Sequence, residues 1–311
     1  MDELLSWLME GDPAIRWQTM RDIAGEPEAA WRAERARTLS EGWGARFLSL
    51  QAADGSWGGG IYSPKWISTT YTLLSLCQIG IPRDDEPARR GARLMLDRLL
   101  GRRDDPRFPT SLARLDRCVV GMCLQVGAYF DVGDGRIDAI LDNLLNERMP
   151  DGGWNCRKGR DKHVQHSSFH TTFNVLEGLR TALELYDSPR RAELEAAEQG
   201  ALEFMLEHRL YRSHQTGQEI NPVFTLLSFP YRWHYDVLRG LEYFARAGAP
   251  HDPRLQDAID LLKAKRRKDG TWPVQHKYSG KIFFNMESMG KPSRWNTLRA
   301  LRVMKWWEGT K

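Results

Sequence analysis

Cysteine is scarce: four in 311 residues, at positions 77, 118, 123 and 156. So few thiols in so long a chain make no disulfide framework, and a reduced, cytoplasmic protein is the expectation. Charge of one sign is lacking too. The net charge is +4, from 45 basic and 41 acidic residues, and no basic face stands out, so nucleic acid is not an expected partner. No run approaches the roughly 18 apolar residues of a membrane span, so no integral membrane protein is expected. The opening MDELLSWLMEGDP has two acids in its first three residues and no basic stretch, which fits neither a signal peptide nor an anchor. Strand-like alternation is missing. Gly58-Gly59-Gly60 follows a Trp turn, not the strand that a nucleotide-binding loop requires.

What is present is repetition. Arg16-Trp17-Gln18-Thr19-Met20-Arg21-Asp22-Ile23 reads almost like Arg294-Trp295-Asn296-Thr297-Leu298-Arg299-Ala300-Leu301. Related segments begin at 70, 172 and 234, with a weaker one, Asp116-Arg117-Cys118-Val119-Val120, at 116. Periods of this size without alternation describe two helices per repeat. Between these segments, 29–50, 88–100, 137–145, 190–208 and 254–265 carry apolar residues at helical spacing among charged ones, as outer helices do. The expected fold is therefore all-α: an α/α toroid of about six helix pairs in one domain over 1–311, with inner helices beginning near 16, 70, 116, 172, 234 and 294. Closure of the ring would make the first and last repeats neighbours.

Three outer helices stop at a shared corner: Asp54-Gly55-Ser56-Trp57, Asp151-Gly152-Gly153-Trp154 and Asp269-Gly270-Thr271-Trp272. The glycine suits a left-handed helix end, and the tryptophan can pack back under the turn. If the inner helices run the same way, their N-termini give one mouth a positive potential that favours an anionic head group. Arg16, Arg117 and Arg294 stand near those starts. Trp66, Tyr71, Phe173, Trp233, Tyr235 and Trp295 stand beside them, as an aromatic wall for an apolar ligand. Thr and Asn at the same positions can equally be helix caps.

Gln51-Ala52-Ala53-Asp54-Gly55-Ser56-Trp57 has the spacing of the QW motif of squalene-hopene cyclases, with Arg148 and Arg266 in the place of the Gln at the other two corners. On this motif and the repeats, the chain resembles the terpenoid cyclase and protein prenyltransferase β-subunit superfamily. The resemblance implies an isoprenoid or similar apolar substrate. The Asp-x-Asp-Asp acid motif of the class II cyclases is absent. Asp84-Asp85 and Asp104-Asp105 lie in Pro- and Arg-rich linkers and read as solvated. Prenyltransferase β subunits hold zinc with Asp-x-Cys and a His one repeat later, and the resemblance carries these roles to Asp116, Cys118 and His170. One carboxylate, one thiolate and one imidazole leave an open, catalytic position on zinc.

Cys156 with His166 and His170 is a competing metal set, and Asp116 as a helix cap with Cys118 and His170 in the core is the structural alternative. His234 and Asp236 form a further acid–base candidate. Departures from the family are the neutral Thr110, Ala113 and Ser68 where it has diphosphate-binding residues, and the lack of the partner α subunit in this chain. The leading expectation is a zinc-dependent prenyltransferase-like enzyme. A cyclase using Asp116 or Asp236 as its acid, and a non-catalytic lipid-binding or scaffold toroid, are the alternatives.

Overall fold

The computed structural model describes residues 2–102, 108–132, 134–158 and 160–309. Asp104-Asp105, read above as linker residues, lie outside them. The helices are α1 (Asp2–Met9), α2 (Pro13–Thr19), α3 (Glu28–Ala36), α4 (Gly42–Ser49), α5 (Thr69–Ile79), α6 (Glu86–Leu100), α7 (Phe108–Arg114), α8 (Arg117–Tyr129), α9 (Arg136–Asn146), α10 (Phe169–Leu185), α11 (Arg191–Glu207), α12 (Val237–Arg246), α13 (Gln256–Ala264) and α14 (Arg294–Gly309). Two-residue strands β1 (Trp272–Pro273) and β2 (Pro292–Ser293) pair antiparallel, Trp272 opposite Ser293. Among the described residues no helix is long and apolar enough to cross a membrane.

The chain divides into two compact units. The first comprises Met1–Ser49, Ile79–Pro82 and Leu206–Lys311; the second comprises Leu50–Gln78 and Arg83–Met205. In the second unit α8 packs along α10, and glycines permit the close approach. A Cβ on Gly121 would stand 2.5 Å from the Asn174 carbonyl oxygen, and one on Gly178 would stand 2.5 Å from that of Gly121. Both helices are buried over most of their length, which is why small and apolar residues surround them.

In the first unit α14 lies beside both α2 and α12, so the first and last repeats are neighbours. Arg302 donates to Gln18 Oε1 at 2.6 Å, to Asp22 at 2.7 Å and to Glu242 at 3.0 Å; Arg299 donates to Glu242 at 2.6 Å. Burial pushes Glu242 up, but the two guanidiniums outweigh it and hold the carboxyl below its ordinary range.

The three tryptophan corners share one hydrogen-bond scheme. The amide of Trp57, Trp154 or Trp272 donates to the hydroxyl of Thr69, Thr172 or Thr297, at 3.0, 3.0 and 2.9 Å. Trp154 and Trp272 also send their indole N–H to the helix carbonyl ten residues earlier, Leu144 and Leu262, each at 2.7 Å. The corner glycines take φ of +91°, +95° and +84°, a region that favours glycine. Gln51 donates to the Gly55 carbonyl at 2.9 Å, and Arg266 makes the equivalent bond to Gly270 at 3.2 Å. An arginine can therefore replace the glutamine without losing the contact.

The expected helix over 29–50 is interrupted. Gly42 adopts φ +67°, and the next amide, that of Trp43, donates to Asp12 Oδ2 at 2.7 Å rather than continuing a helix.

Candidate functional site

Two constellations carry chemistry, one in each unit. In the first unit a cleft of about 500 Å³ is lined by Asp12, Trp43, Glu287, Lys291 and Arg294, among others. Asp12 is placed by its own sequence. It caps α2 before Pro13, with Oδ1 accepting from the Ala14 amide at 2.9 Å, while Oδ2 takes the Trp43 amide. An Asp-Pro start of this kind suits a helix N-terminus. Glu287 sits in the excursion between β1 and β2, and the β-ladder brings it over the start of α14. Its Oε1 accepts from the Trp295 amide at 3.0 Å, and its Oε2 accepts from the Ser293 hydroxyl.

Burial lifts Asp12 above the ordinary carboxylate range, against the lowering effect of the Ala14 and Trp43 amides and of Arg16 and Arg46. Burial likewise lifts Glu287, against the Ser293 hydroxyl, the Trp295 and Arg294 amides and the Arg294 charge. Trp43, which lines the cleft, is backed by buried rings: it lies 6.0 Å from Trp295, which stacks on Phe229 at 5.0 Å. Two carboxyls held toward their protonated forms in one cleft are candidates for proton transfer. Neither acid stands in the repeated segments that drew attention in the sequence. Asp12 was legible as a cap before Pro13; nothing in the sequence flagged Glu287.

In the second unit Asp116, Cys118 and Cys156 bring one oxygen and two sulfurs within 4.8 Å of one another. The His170 ring is not part of that grouping; the residue is second in α10, and its carbonyl accepts from the Asn174 side chain at 2.6 Å. His166 lies before the helix, and of the competing set only Cys156 belongs to the grouping. Asp116 stands at the N-cap of α8 without a side-chain capping bond; its carboxylate pairs with Arg160. The Cys156 sulfur caps in its stead, accepting from the Cys118 amide at 3.3 Å and from the Thr171 hydroxyl at 3.3 Å. The Cys118 thiol donates to it as well. These bonds draw Cys156 down to about 7 despite its burial, whereas Cys118, as the donor, is pushed up. One carboxylate and two sulfurs are a donor set that a zinc-like cation accepts.

The other candidates are spread over both units. In the second, Arg117 is buried; it donates to the Ala113 and Leu115 carbonyls at 2.7 and 2.6 Å and to the Asn143 side chain. Tyr71 packs edge-on to Trp66 at 4.8 Å, and Phe173 is wholly buried. In the first, Arg16 pairs with Glu34 at 2.5 Å, and Arg294 donates to the Trp7 carbonyl at 2.7 Å. Tyr235 is buried, with its hydroxyl on the Leu210 carbonyl at 2.7 Å. Asp236, fully buried, caps α12 by accepting from Arg239 N at 2.8 Å and also accepts from Ser228 N at 2.9 Å. His234 lies stacked between Trp233, 3.7 Å away, and Tyr278, 3.5 Å away.

No family model matches the chain, and no curated protein does. Among solved structures, the chain is similar to a glycosyl hydrolase family 88 protein from Bacteroides vulgatus, with TM-score 0.52 and 11% identity over 97% of each chain. A protein from Actinoplanes aligns at TM-score 0.45 and 15% identity, over 96% of this chain and 90% of that one. The first likeness bears on the fold alone, and the fold class is the expected one, all-α of the α/α-toroid type.

The family resemblance is corrected by the same finding: the structural likeness is to a glycosyl hydrolase, not to terpenoid cyclases or prenyltransferases. With it go the zinc-dependent prenyltransferase activity, the cyclase and lipid-binding alternatives and the isoprenoid substrate. The physical reason lies in the corners. Asp-Gly-x-Trp does not end the helix, since α9 and α13 are already capped at Glu147 and Lys265; it makes the turn that follows and ties it to the next helix through a threonine hydroxyl. The motif reports how helix pairs are joined and says nothing of the reaction.

Proposed function

We propose that this chain is a hydrolase of glycosidic bonds, with Asp12 and Glu287 as its carboxyl pair. The observation that carries the proposal is the presence in one cleft of two carboxyls, each raised by burial above the ordinary range. Such a pair is what protonation of a leaving oxygen and activation of water require. Glu287 is the proton donor: each carboxyl accepts from two backbone amides, but Glu287 faces one guanidinium, that of Arg294, whereas Asp12 feels both Arg16 and Arg46. The second guanidinium favours the ionised form, so Asp12 is the base. Trp43 offers an apolar ring face against which a sugar can pack. The fold likeness to a glycosyl hydrolase supports the reading.

The test is reducing-sugar release from a panel of aryl glycosides and neutral and acidic oligosaccharides, with wild type, Asp12→Asn and Glu287→Gln. Turnover of at least one substrate by wild type, reduced about 100-fold or more in each variant, is expected. A panel left wholly uncut, or turnover unchanged in either variant, refutes it.

A further inference from the structure

The thiol pair of the second unit has no part in glycoside hydrolysis, yet it is built for chemistry of its own. The Cys156 sulfur stands 3.3 Å from the Cys118 backbone nitrogen, and the two sulfurs lie within 4.8 Å of each other. That separation is within the reach of a disulfide once the two side chains rotate. Two donors converge on the Cys156 sulfur, the Cys118 amide and the Thr171 hydroxyl, each at 3.3 Å. The amide belongs to the first turn of α8, whose N-terminal end favours negative charge. Cys118 and Cys156 are both partly exposed, whereas Cys123 is fully buried. The two partners are thus unequal: the Cys156 sulfur accepts two hydrogen bonds, one of them from the Cys118 backbone.

We propose that Cys156 and Cys118 are a redox-active dithiol, closed to an intramolecular disulfide by low-molecular-weight disulfides of the glutathione type. The Cys156 thiolate attacks one sulfur of glutathione disulfide. That S–S bond breaks, one glutathione departs as a thiolate and takes up a proton, and the other stays on Cys156. Cys118 then loses its proton and attacks the Cys156 sulfur, expelling the second glutathione. Two protein thiols are oxidised and one glutathione disulfide is reduced to two thiols. The new bond ties the first turn of α8 to the segment preceding α10.

The experiment incubates the whole protein with glutathione disulfide and maps the cysteine peptides by mass. The expected result is a Cys118–Cys156 linked peptide with Cys77 and Cys123 still free. Cys118→Ser accumulates glutathione on Cys156, because nothing resolves it, and Cys156→Ser leaves Cys118 unmodified. Thermal melting of both variants checks that they fold. Should either fail, the order of alkylation in wild type decides, with Cys156 reacting about tenfold or more ahead of Cys77. No linked peptide in wild type, Cys77 reacting as fast as Cys156, or a stoichiometric metal ion in the untreated protein that shields both thiols would each overturn the proposal.

Discussion

Replacing Thr172 by Val removes a hydroxyl and almost nothing else. That hydroxyl accepts from the Trp154 amide at 3.0 Å and donates to the Trp154 carbonyl at 3.2 Å, in a region where both residues are fully buried. The carbonyl keeps a partner, since the Ser168 amide donates to it at 2.8 Å. The Trp154 N–H is left with none, and an orphaned buried donor costs about 1–3 kcal/mol. For 311 residues an unfolding entropy of about 2.1 cal/mol/K per residue gives about 650 cal/mol/K, so each kcal/mol moves the midpoint by about 1.5 °C. The expected fall is about 2–5 °C, read by differential scanning calorimetry. Thr172→Ser keeps the hydroxyl and separates the hydrogen bond from the lost methyl. If Thr172→Val melts no lower than Thr172→Ser, the corner bond is not what ties the turn to α10.

Gly178→Ala should lower the midpoint by an amount corresponding to about 1–3 kcal/mol, because the new Cβ would meet the Gly121 carbonyl oxygen at 2.5 Å and backbone cannot swing aside. Glu242 is held below its ordinary range by Arg299 and Arg302. A carboxyl depressed in the folded state contributes stability above its unfolded pKa and loses it as pH falls through the folded pKa. Urea midpoints of wild type should therefore drop more steeply on acidification than those of Glu242→Gln. Glu287 is shifted the other way. Its protonated form favours the folded state, so its contribution is full at low pH and is lost as pH rises through the raised pKa. Glycoside hydrolysis should decline over that same alkaline-going window, and a rate that instead rises through it contradicts Glu287 as the donor.

The helix pairs were legible because burial imposes periodicity, and the corners were legible because few residues can make so tight a turn, although the glycine sits in the turn after the helix and not at its end. The role of the corner threonines was half visible. Thr172 read as a cap or a ligand contact, and it is instead the acceptor for an amide eighteen residues earlier, a long-range bond that no local pattern announces. Asp236, read as an acid–base candidate, is fully buried and caps α12. The cleft was not legible. Glu287 reaches its place through the pairing of β1 with β2, and its proton affinity is set by burial that only the folded chain creates. Cys156 stood in a competing metal set, but its closeness to the Cys118 amide depends on how the segment before α10 meets the first turn of α8. The family resemblance misled for a physical reason: a motif that serves the turn recurs wherever helix pairs are joined that way.

The central claim, that the cleft of Asp12 and Glu287 hydrolyses glycosidic bonds, is tested most directly by digesting a cleaved oligosaccharide in heavy-oxygen water. The account predicts one labelled oxygen at the newly formed reducing end, with label incorporation lost in Glu287→Gln. Cleavage without label, leaving an unsaturated sugar at the new non-reducing end, would mean elimination rather than hydrolysis and would contradict it.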